Sequence, residues 1–283
     1  MPRSDQGLPS DEQLVALAQK AGRAILDIYE SDFEVVEKAD ESPLTKADLA
    51  AHEVLVEGLA ELTPDIPVVS EESTPPAYSV RSGWPRYWLI DPLDGTKEFV
   101  NRNGEFTVNV ALIEDHRSVL GVVGVPVQDL VYVGDVSTSK TLCFQQNNTR
   151  TLSGREAVAQ LAGKTGVTAV ASRSHGGERL ETYLDATSAE FGGLTRKPMG
   201  SSLKLCTLAE GEADIYPRLG PTSEWDIAAA DAVLSAAGGA VYTFDGKRLR
   251  YNSKESLLNP EFLAVSDASF DWLQRLPALP AKD

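Results

Sequence analysis

The stretch 87–100, which reads YWLIDPLDGTKEFV, restricts what this chain can fold into more than any other. Its first four residues are apolar or aromatic and are typical of a buried strand. Asp91 and Asp94 follow directly, and Pro92 between them biases Asp91 toward an extended backbone. Gly95 and Thr96 then open a polar stretch that can begin a helical turn. We therefore expect a strand that ends at a stiff corner carrying two carboxylates.

Two carboxylates so close together are a candidate cation site at this corner. The side chains of Asp91 and Asp94 and the carbonyl of Leu93 are ligand types that Mg²⁺ prefers, and the free N–H groups beyond Asp94 could hold a phosphate. Taken alone, the pair is better explained by an ordinary capped turn between a strand and a helix. An aspartyl-phosphate phosphatase is not indicated, because its Asp-x-Asp-Gly-Thr motif separates the aspartates by one residue instead of two.

The composition excludes several classes of protein. The 283 residues are 42% hydrophobic and 24% charged, as in an ordinary soluble protein. The net charge of −16 argues against a nucleic-acid polymer or an anionic membrane as the main partner. Cys143 and Cys206 lack the spacing of a zinc site and are expected to be buried free thiols. The polar N-terminal stretch, and the lack of any apolar run of transmembrane length, indicate a cytoplasmic protein.

Hydrophobic spacing predicts a mixture of helices and strands in the first half of the chain. A helix is expected to begin after Ser10, where Gln13 completes a capping box. Residues 105–112 alternate between two faces and begin an antiparallel meander. The remaining predictions are a helix within 42–62, a short strand at 68–72, a loop over 73–86, and meander strands at 119–127, 130–133 and 141–144.

Two further acidic residues in this half are candidates for the same site. The strand at 68–72 ends in two acids, Glu71 and Glu72, shortly before the next strand. A neighbouring strand could therefore bring Glu71 beside Asp91. Asp48 lies near the start of a predicted helix, where it matches a capping box with Thr45. For Asp48 taken alone, that structural role is the better explanation.

The second half alternates strands with helices and is predicted to be α/β. The composition becomes rich in Ser, Thr, Asn and Gly over residues 136–165, which suggests two subdomains, 1–137 and 138–283. Residues 241–244 and 248–251 are typical of a β-hairpin joined by an Asp-Gly turn. The other predicted segments are strands at 167–171 and 213–216 and helices at 177–186, 203–209 and 225–237.

Three motifs, taken together, resemble the inositol-monophosphatase-like superfamily of metal-dependent phosphatases. They are SEES at 70–73, DPLDGTKEF at 91–99 and WDIAAADAV at 225–233, and their order and separations also match. The resemblance covers nearly all of residues 10–265. It implies an α/β fold in which five layers alternate as an α-β-α-β-α sandwich.

Within this superfamily, the chain is most similar to the CysQ-type 3'(2'),5'-bisphosphate nucleotidases. The similarity lies in residues 91–113, in SRSH at 172–175 and in residues 200–226. One residue departs from the superfamily pattern, since Ala230 stands where the glycine of WDxAAG is usual. This change bears on substrate detail more than on the metal site.

The resemblance implies roles for the acidic residues and their neighbours. Asp48 would pair with the Thr96 hydroxyl to orient and deprotonate the attacking water, and Glu71 would share in catalysis. Gly95 and Thr96 would meet the scissile phosphate. Two or three Mg²⁺ ions would be held by Glu71, Asp91, Asp94, Asp226 and the carbonyl of Leu93.

A nucleotide bisphosphate also needs a cationic site for its second phosphate. Lys204 follows Gly200, Ser201 and Ser202 at a predicted helix start, where N–H groups and hydroxyls are available. Each cation taken singly is also explained as ordinary surface charge. The substrate-binding residues that the resemblance implies are Gly95, Thr96, Ser172, Arg173, His175, Gly200, Ser201, Ser202, Lys204, Arg218 and Asp226.

The three histidines are not arranged as a nucleophilic pair. His175 lies in the SRSH motif and is expected either to contact the nucleotide or to be structural. His52 and His116 are expected on solvated surfaces.

The resemblance implies a Mg²⁺-dependent phosphomonoesterase that hydrolyses adenosine 3',5'-bisphosphate to AMP and phosphate with a metal-activated water. It would also act on the 3'-phosphate of the sulfated nucleotide, be inhibited by lithium and serve sulfur assimilation. A monomer or homodimer is expected, with at most a peripheral contact with the cytoplasmic face of the inner membrane. The open alternatives are an inositol or sugar monophosphatase of the same superfamily and a non-catalytic nucleotide or metal sensor.

Overall fold

A computed structural model of the protein describes residues 7–30, 35–37, 43–146, 148–154, 166–171 and 177–281, with the backbone alone for 35–37 and 43–45. The helices are α1 (Asp11–Tyr29), α2 (Lys46–Leu62), α3 (Tyr78–Arg81), α4 (Thr96–Val100), α5 (Gly177–Phe191), α6 (Leu203–Ala209), α7 (Glu224–Ala236) and α8 (Trp272–Arg275). The strands of the first half are β1 (Val35–Glu37), β2 (Pro43–Thr45), β3 (Val68–Ser70), β4 (Arg86–Asp94), β5 (Thr107–Glu114), β6 (Arg117–Val125), β7 (Leu130–Asp135), β8 (Lys140–Gln145) and β9 (Asn148–Leu152). Those of the second half are β10 (Val167–Ala171), β11 (Leu194–Pro198), β12 (Ile215–Arg218), β13 (Ala240–Thr243) and β14 (Phe262–Val265).

The first sheet contains β3 to β9, which lie side by side in the order of the chain. β3 pairs with β4 in parallel, and each following pair is antiparallel. The predicted meander is therefore confirmed. It extends further than predicted, because β9 adds a largely exposed strand with the sequence NTRTL. The subdomain boundary near residue 137 stays a prediction, and the first sheet runs on to Leu152.

Both faces of the first sheet are buried. Val108, Val110 and Leu112 share one core with apolar residues of α1 and α2. Ala111 and Ile113 face the opposite way, into a core that includes residues of α6 and α7. The predicted alternation is thus correct, and it separates two packed layers of helices from each other.

The second sheet completes the layers. Its strands lie in the order β11-β10-β12-β14-β13, and β10 is parallel to both of its neighbours. One face of the second sheet packs into the same core as α6 and α7, through residues such as Tyr216 and Ala264. Its other face packs against α5 and α8, where Leu184 and Trp272 are buried. The predicted α-β-α-β-α sandwich is confirmed.

α7 lies unusually close to the first sheet because two strand residues opposite it are glycines. A Cβ atom built on Gly121 would lie 2.0 Å from the carbonyl oxygen of Ala229, and one on Gly134 would lie 2.3 Å from the Cα of Val233. Thr141 uses this closeness to donate its hydroxyl proton to the carbonyl oxygen of Val233 at 2.9 Å. The glycines of the strands and the alanines of α7 therefore determine the short distance between the helix and the first sheet.

Three local predictions compare differently with the structure. The capping box of α1 is confirmed, since Ser10 and Gln13 exchange their hydrogen bonds. The predicted loop over 73–86 contains the short helix α3. The hairpin predicted at 241–251 is confirmed only at its closed end: the Asp245-Gly246 turn brings Arg248 into an antiparallel bridge with Tyr242. Residues 248–251 form no strand, and β13 also pairs with the distant β14.

Within the described ranges, no helix is long and apolar enough to cross a membrane.

Candidate active site

Three carboxylates from distant parts of the chain meet at the carboxyl ends of β3 and β4. Glu71 directly follows β3, Asp91 lies in β4, and Asp226 lies in the first turn of α7. One oxygen of each carboxylate lies within 4.8 Å of an oxygen of the other two. Because Ser70 pairs with Ile90 in the parallel register, Glu71 comes to stand beside Asp91, as the sequence predicts.

A bulge in β4 separates the two aspartates of the corner. Asp91 pairs with Asn109 and Asp94 with Thr107, so β4 uses one residue more than β5 over this interval. Residues three apart on a regular strand point to opposite faces, and an extra residue re-aims one of them. The Asp-Pro-Leu-Asp sequence therefore turns both carboxylates toward the end of the strand, with Leu93 buried between them.

Asp91 is the most enclosed member of the cluster, with 1% of its surface exposed. Burial raises the pKa of Asp91 well above its ordinary value, and the nearby charge of Glu71 raises it further. Its Oδ1 accepts a hydrogen bond from the Leu93 N–H at 3.1 Å. The carboxylates thus repel one another unless a proton or a cation lies between them.

Asp226 combines a structural role with its place in the cluster. It is the third residue of α7, and its Oδ2 accepts the N–H of the capping residue Ser223 at 2.9 Å. Burial and the charge of Asp94 raise the pKa of Asp226. The helix cap therefore fixes the carboxylate at one oxygen and leaves the other for the cluster.

Asp94 stands beside the three carboxylates and is held from the other half of the molecule. Its Oδ2 accepts the backbone N–H of Ser202 at 2.6 Å. Burial raises the pKa of Asp94 to about 6, although the Lys204 ammonium and the Ser202 hydrogen bond both favour the ionised form. Glu71 acts in the opposite direction, so Asp94 also feels the charge of the cluster.

Asp48 and Thr96 lie in the first turns of two different helices. Asp48 is buried in the first turn of α2, and its charge contributes to the raised pKa of Asp91. Thr96 begins α4, and Gly95 before it adopts a φ of 92°, which only glycine tolerates readily. The pairing of Asp48 with Thr96 stays a prediction.

Two cations lie on the other side of the cluster. Lys204 is buried in α6, its Nζ donates to the carbonyl oxygen of Ser201 at 2.8 Å, and it lies 5.7 Å from the ring centre of Tyr216. Burial lowers the pKa of Lys204 to about 8, and the positive charge of Arg218 acts in the same direction. Arg218 donates through Nη2 to the carbonyl oxygen of Pro221 at 2.9 Å.

The loop before α6 uses its backbone donors within the protein. The Gly200 N–H donates to Glu105 at 2.7 Å, and the Ser202 N–H donates to Asp94. The hydroxyl of Ser202 donates to Asn109 Oδ1 at 2.8 Å. The predicted substrate contacts of Gly200, Ser201 and Ser202 stay predictions, and the structure gives the first and last of them a clear role in holding the two halves together. The predicted residues Ser172, Arg173 and His175 lie outside the described residues.

Two histidines are placed differently from the prediction. His52, expected on a solvated surface, is half-buried, and its Nδ1 lies 2.9 Å from the hydroxyl of Ser70. His116 is also half-buried, with its Nδ1 2.9 Å from the carbonyl oxygen of Tyr251. The spacing of His52 from Asp48, four residues along one helix, could have indicated that both lie on the same face.

The donor set fits a hard divalent cation. All the groups in the cluster are carboxylate oxygens, and nitrogen or sulfur ligands are missing from the described cluster. Oxygen-only sites suit Mg²⁺, Ca²⁺ or Mn²⁺. The burial and mutual repulsion of Asp91 and Asp226 are what a bound cation would relieve.

Comparison with known proteins agrees with this geometry. The model of the inositol monophosphatase family matches residues 9–270. The chain belongs to the inositol monophosphatase family. Among curated members of the family, the 3'(2'),5'-bisphosphate nucleotidase CysQ of Salmonella typhimurium is 48% identical over 254 residues, which cover 89% of this chain and 97% of that protein.

Solved structures of the inositol monophosphatase family show the same architecture. CysQ from Bacteroides thetaiotaomicron superimposes with a TM-score of 0.77 at 42% identity, over 91% of this chain and 98% of that one. The inositol monophosphatase of Thermotoga maritima gives a TM-score of 0.72 at 21% identity, over 96% and 95% of the two chains. The second likeness concerns the fold alone.

Proposed function

We propose that this protein is a 3'(2'),5'-bisphosphate nucleotidase that hydrolyses the 3'-phosphate of adenosine 3',5'-bisphosphate to give AMP and phosphate. The observation that carries the proposal is the juxtaposition of a buried carboxylate cluster with two cations, Lys204 and Arg218, that repel each other. Relatives with this activity in their name are 47–48% identical over 89% of the chain. A substrate with two phosphates offers one anion to each part of the site.

The residues that would hold Mg²⁺ are Glu71, Asp91, Asp94 and Asp226, together with the carbonyl of Leu93. Two or three ions are proposed. When bound, Mg²⁺ neutralises the carboxylates, polarises the phosphate, lowers the pKa of water and stabilises the leaving oxygen. Asp94 would then exchange part of its interaction with Lys204 for the metal, because both compete for the same carboxylate.

The side chains of the cluster supply orientation and proton transfer. Asp48 and the Thr96 hydroxyl are proposed to hold the attacking water and to take its proton. The water oxygen bonds to phosphorus as the bond from phosphorus to the ribose 3' oxygen breaks, and that oxygen takes a proton from solvent water to leave as the 3'-hydroxyl. Gly95 and Thr96, at the start of α4, are proposed to orient the transferred phosphate.

Lys204 and Arg218 are proposed to bind the second phosphate. Burial lowers the pKa of Lys204, and the like charge of Arg218 acts in the same direction. A phosphate between them would replace this repulsion with two charge-assisted hydrogen bonds. An inositol monophosphate has no second anion to place there, which disfavours that alternative substrate.

Further features are proposed from the family resemblance. They are activity on the 3'-phosphate of the sulfated nucleotide, inhibition by lithium, a role in sulfur assimilation and a cytoplasmic location.

The test is phosphate release from adenosine 3',5'-bisphosphate, inositol 1-phosphate and fructose 1,6-bisphosphate, each with Mg²⁺, with EDTA and with lithium. We expect the adenosine bisphosphate to give the highest kcat/KM, and EDTA or lithium to suppress it. Preferred turnover of an inositol or sugar phosphate would assign the protein to the alternative activity. Nucleotide binding without turnover of any substrate would make it a sensor.

A further inference from the structure

α2 presents two polar side chains to the end of the first sheet. Asp48 and His52 are four residues apart, so they lie one above the other on the same face of the helix. Asp48 is buried beside the cluster, and His52 is half-buried one turn further on. Glu53 and Glu57, on the opposite face, are exposed. His52 therefore lies on the face of α2 that packs against β3 and β4.

His52 contacts the residue that precedes Glu71. Its Nδ1 lies 2.9 Å from the hydroxyl oxygen of Ser70, which is 1% exposed. The same hydroxyl oxygen accepts the N–H of Glu72 at 3.2 Å. The residues on either side of Glu71, namely Ser70 and Glu72, are thus joined by a hydrogen bond to the Ser70 hydroxyl.

The backbone of Glu71 is also fixed from the side of β4. Its N–H donates to the carbonyl oxygen of Ile90 at 3.2 Å, directly before Asp91. Two constraints, the sheet hydrogen bond and the Ser70 turn, therefore decide where the Glu71 side chain leaves the strand. The second constraint depends on the orientation of the Ser70 hydroxyl, which His52 sets.

Holding Glu71 in place requires such support because the cluster repels it. Its carboxylate lies within 4.8 Å of those of Asp91 and Asp226, and all three are acidic. Before a cation binds, like charges favour the movement of the least buried one toward solvent. Glu71 and Asp226 are only partly buried, and the cap of α7 holds Asp226. Glu71 is therefore the member of this trio whose position depends most on the backbone of β3 and the turn that follows it.

We propose that His52 is a positioning residue that keeps Glu71 in the arrangement that binds the metal, through its hydrogen bond to the Ser70 hydroxyl. The inference rests on the proposed metal-dependent function. It assigns to His52 an effect on metal affinity, without any contact between His52 and the substrate. Loss of one hydrogen bond of this kind changes an affinity by about three- to tenfold.

Two substitutions separate the hydrogen bond from the rest of the side chain. His52→Ala removes the group that meets Ser70. His52→Asn keeps a polar atom bonded to Cγ, in the position of the ring Nδ1, and so preserves the contact. Glu53→Ala, on the exposed face of the same helix, is the matched control for general effects of substitution in α2.

The experiment is a calorimetric titration of each full-length protein with Mg²⁺ alone, together with urea unfolding in EDTA. We expect His52→Ala to bind Mg²⁺ about three- to tenfold more weakly than the wild type, and His52→Asn and Glu53→Ala to bind within about twofold of it. Phosphate release should require correspondingly more Mg²⁺ in His52→Ala, with kcat at saturating Mg²⁺ reduced far less.

Several results would overturn the proposal. Unchanged Mg²⁺ affinity in His52→Ala with a lower urea midpoint would make His52 a structural residue only. Equal weakening in His52→Asn would show that the hydrogen bond is not the cause. A wild-type protein that binds no Mg²⁺ would contradict the proposed function as well, whereas one that binds Mg²⁺ without hydrolysing the nucleotide would contradict that function alone.

Discussion

The backbone N–H of Ser202 donates a 2.6 Å hydrogen bond to Oδ2 of Asp94. Asp94 ends a strand of the first sheet, whereas Ser202 belongs to the loop that leads into α6 in the second half. A proposed metal ligand is therefore oriented by a residue 108 positions away along the chain. Because of this contact, the site is complete only when both halves of the molecule have folded together.

The hydroxyl of Ser202 makes a second connection, which predicts a loss of stability in Ser202→Ala. It donates to Asn109 Oδ1 at 2.8 Å and lies 2.9 Å from the hydroxyl of Thr107. Its removal leaves buried oxygens without this partner, so the free energy of unfolding should fall by about 1–3 kcal/mol in urea titrations. A rise in KM at unchanged stability would instead assign the hydroxyl to substrate binding.

Asp91→Asn should be more stable than the wild type without metal, and inactive with it. The substitution removes a buried charge that repels its neighbours and keeps an oxygen that can accept the Leu93 N–H. With Mg²⁺, phosphate release should fall by at least about a hundredfold, since even indirect changes around metal ligands cost 10- to 100-fold.

The advantage of Asp91→Asn should depend on pH in a defined direction. Burial raises the pKa of Asp91 in the folded protein, so the folded state keeps its proton at a pH where the unfolded chain has lost it. The unfolding free energy of the wild type therefore falls, relative to the variant, as pH rises from about 4. Urea unfolding in EDTA at pH 4, 6 and 8 measures the difference; a constant difference would contradict the account.

Lys204→Met and Arg218→Gln should discriminate between substrates with one and two phosphates. Each removes a proposed charge-assisted hydrogen bond to the second phosphate, so KM for adenosine 3',5'-bisphosphate should rise about 10- to 100-fold. KM for adenosine 3'-monophosphate should change much less. Lys197→Met is a control of similar charge, since Lys197 lies in β11 and is paired with Glu212 in the turn after α6. Equal losses on both nucleotides would contradict the assignment.

Gly134→Ala should displace α7 and with it Asp226. The new methyl group would lie 2.3 Å from the Cα of Val233. The nearest atoms all belong to the backbone of α7, so the clash cannot be relieved by the rotation of a side chain. Overpacking of this kind costs about 1–3 kcal/mol or more, measured by urea unfolding, and activity should fall further than stability. Gly83→Ala is the control, because its Cβ would meet nothing nearer than 3.6 Å.

The sequence predicts those parts of the fold in which local pattern and tertiary contact agree. The alternation through Val108 and Val110 identifies β5, since every second residue enters the same core. The helical spacing of α1 is equally clear, since Leu14, Leu17 and Ile25 enter that core as well. By contrast, β9 and β11 read NTRTL and LTRKP, and neither carries an apolar face that would distinguish it from a loop.

The shortened hairpin has a different physical cause. Residues 248–251 alternate like a strand and follow an Asp-Gly turn, so local pattern favours pairing with β13. The pairing with β13 is limited to the closed end, because the N–H of Tyr251 donates to the carbonyl oxygen of the distant His116. β13 also pairs with β14, whose residues Phe262 to Val265 are fully buried. Neither distant contact is visible in the local pattern.

For the site, the family resemblance implies that Glu71, Asp91, Asp94 and Asp226 converge. The structure brings Glu71, Asp91 and Asp226 together and places Asp94 near them. The contacts that hold these residues are not predictable in the same way. Ser202 reaches Asp94 and His52 reaches Ser70 through folding of distant segments, and a single hydroxyl or imidazole carries no periodic pattern.

The central claim is tested most directly by the initial rate of phosphate release from adenosine 3',5'-bisphosphate in Mg²⁺ for the wild type, Asp226→Asn and Asp231→Asn. Both aspartates lie on α7, but Asp231 is outside the carboxylate cluster and accepts the Tyr251 hydroxyl. We predict rapid, EDTA-sensitive release by the wild type and Asp231→Asn and loss of at least about a hundredfold in Asp226→Asn. Normal Mg²⁺-dependent release by Asp226→Asn would contradict the claim that these carboxylates hold the catalytic metal.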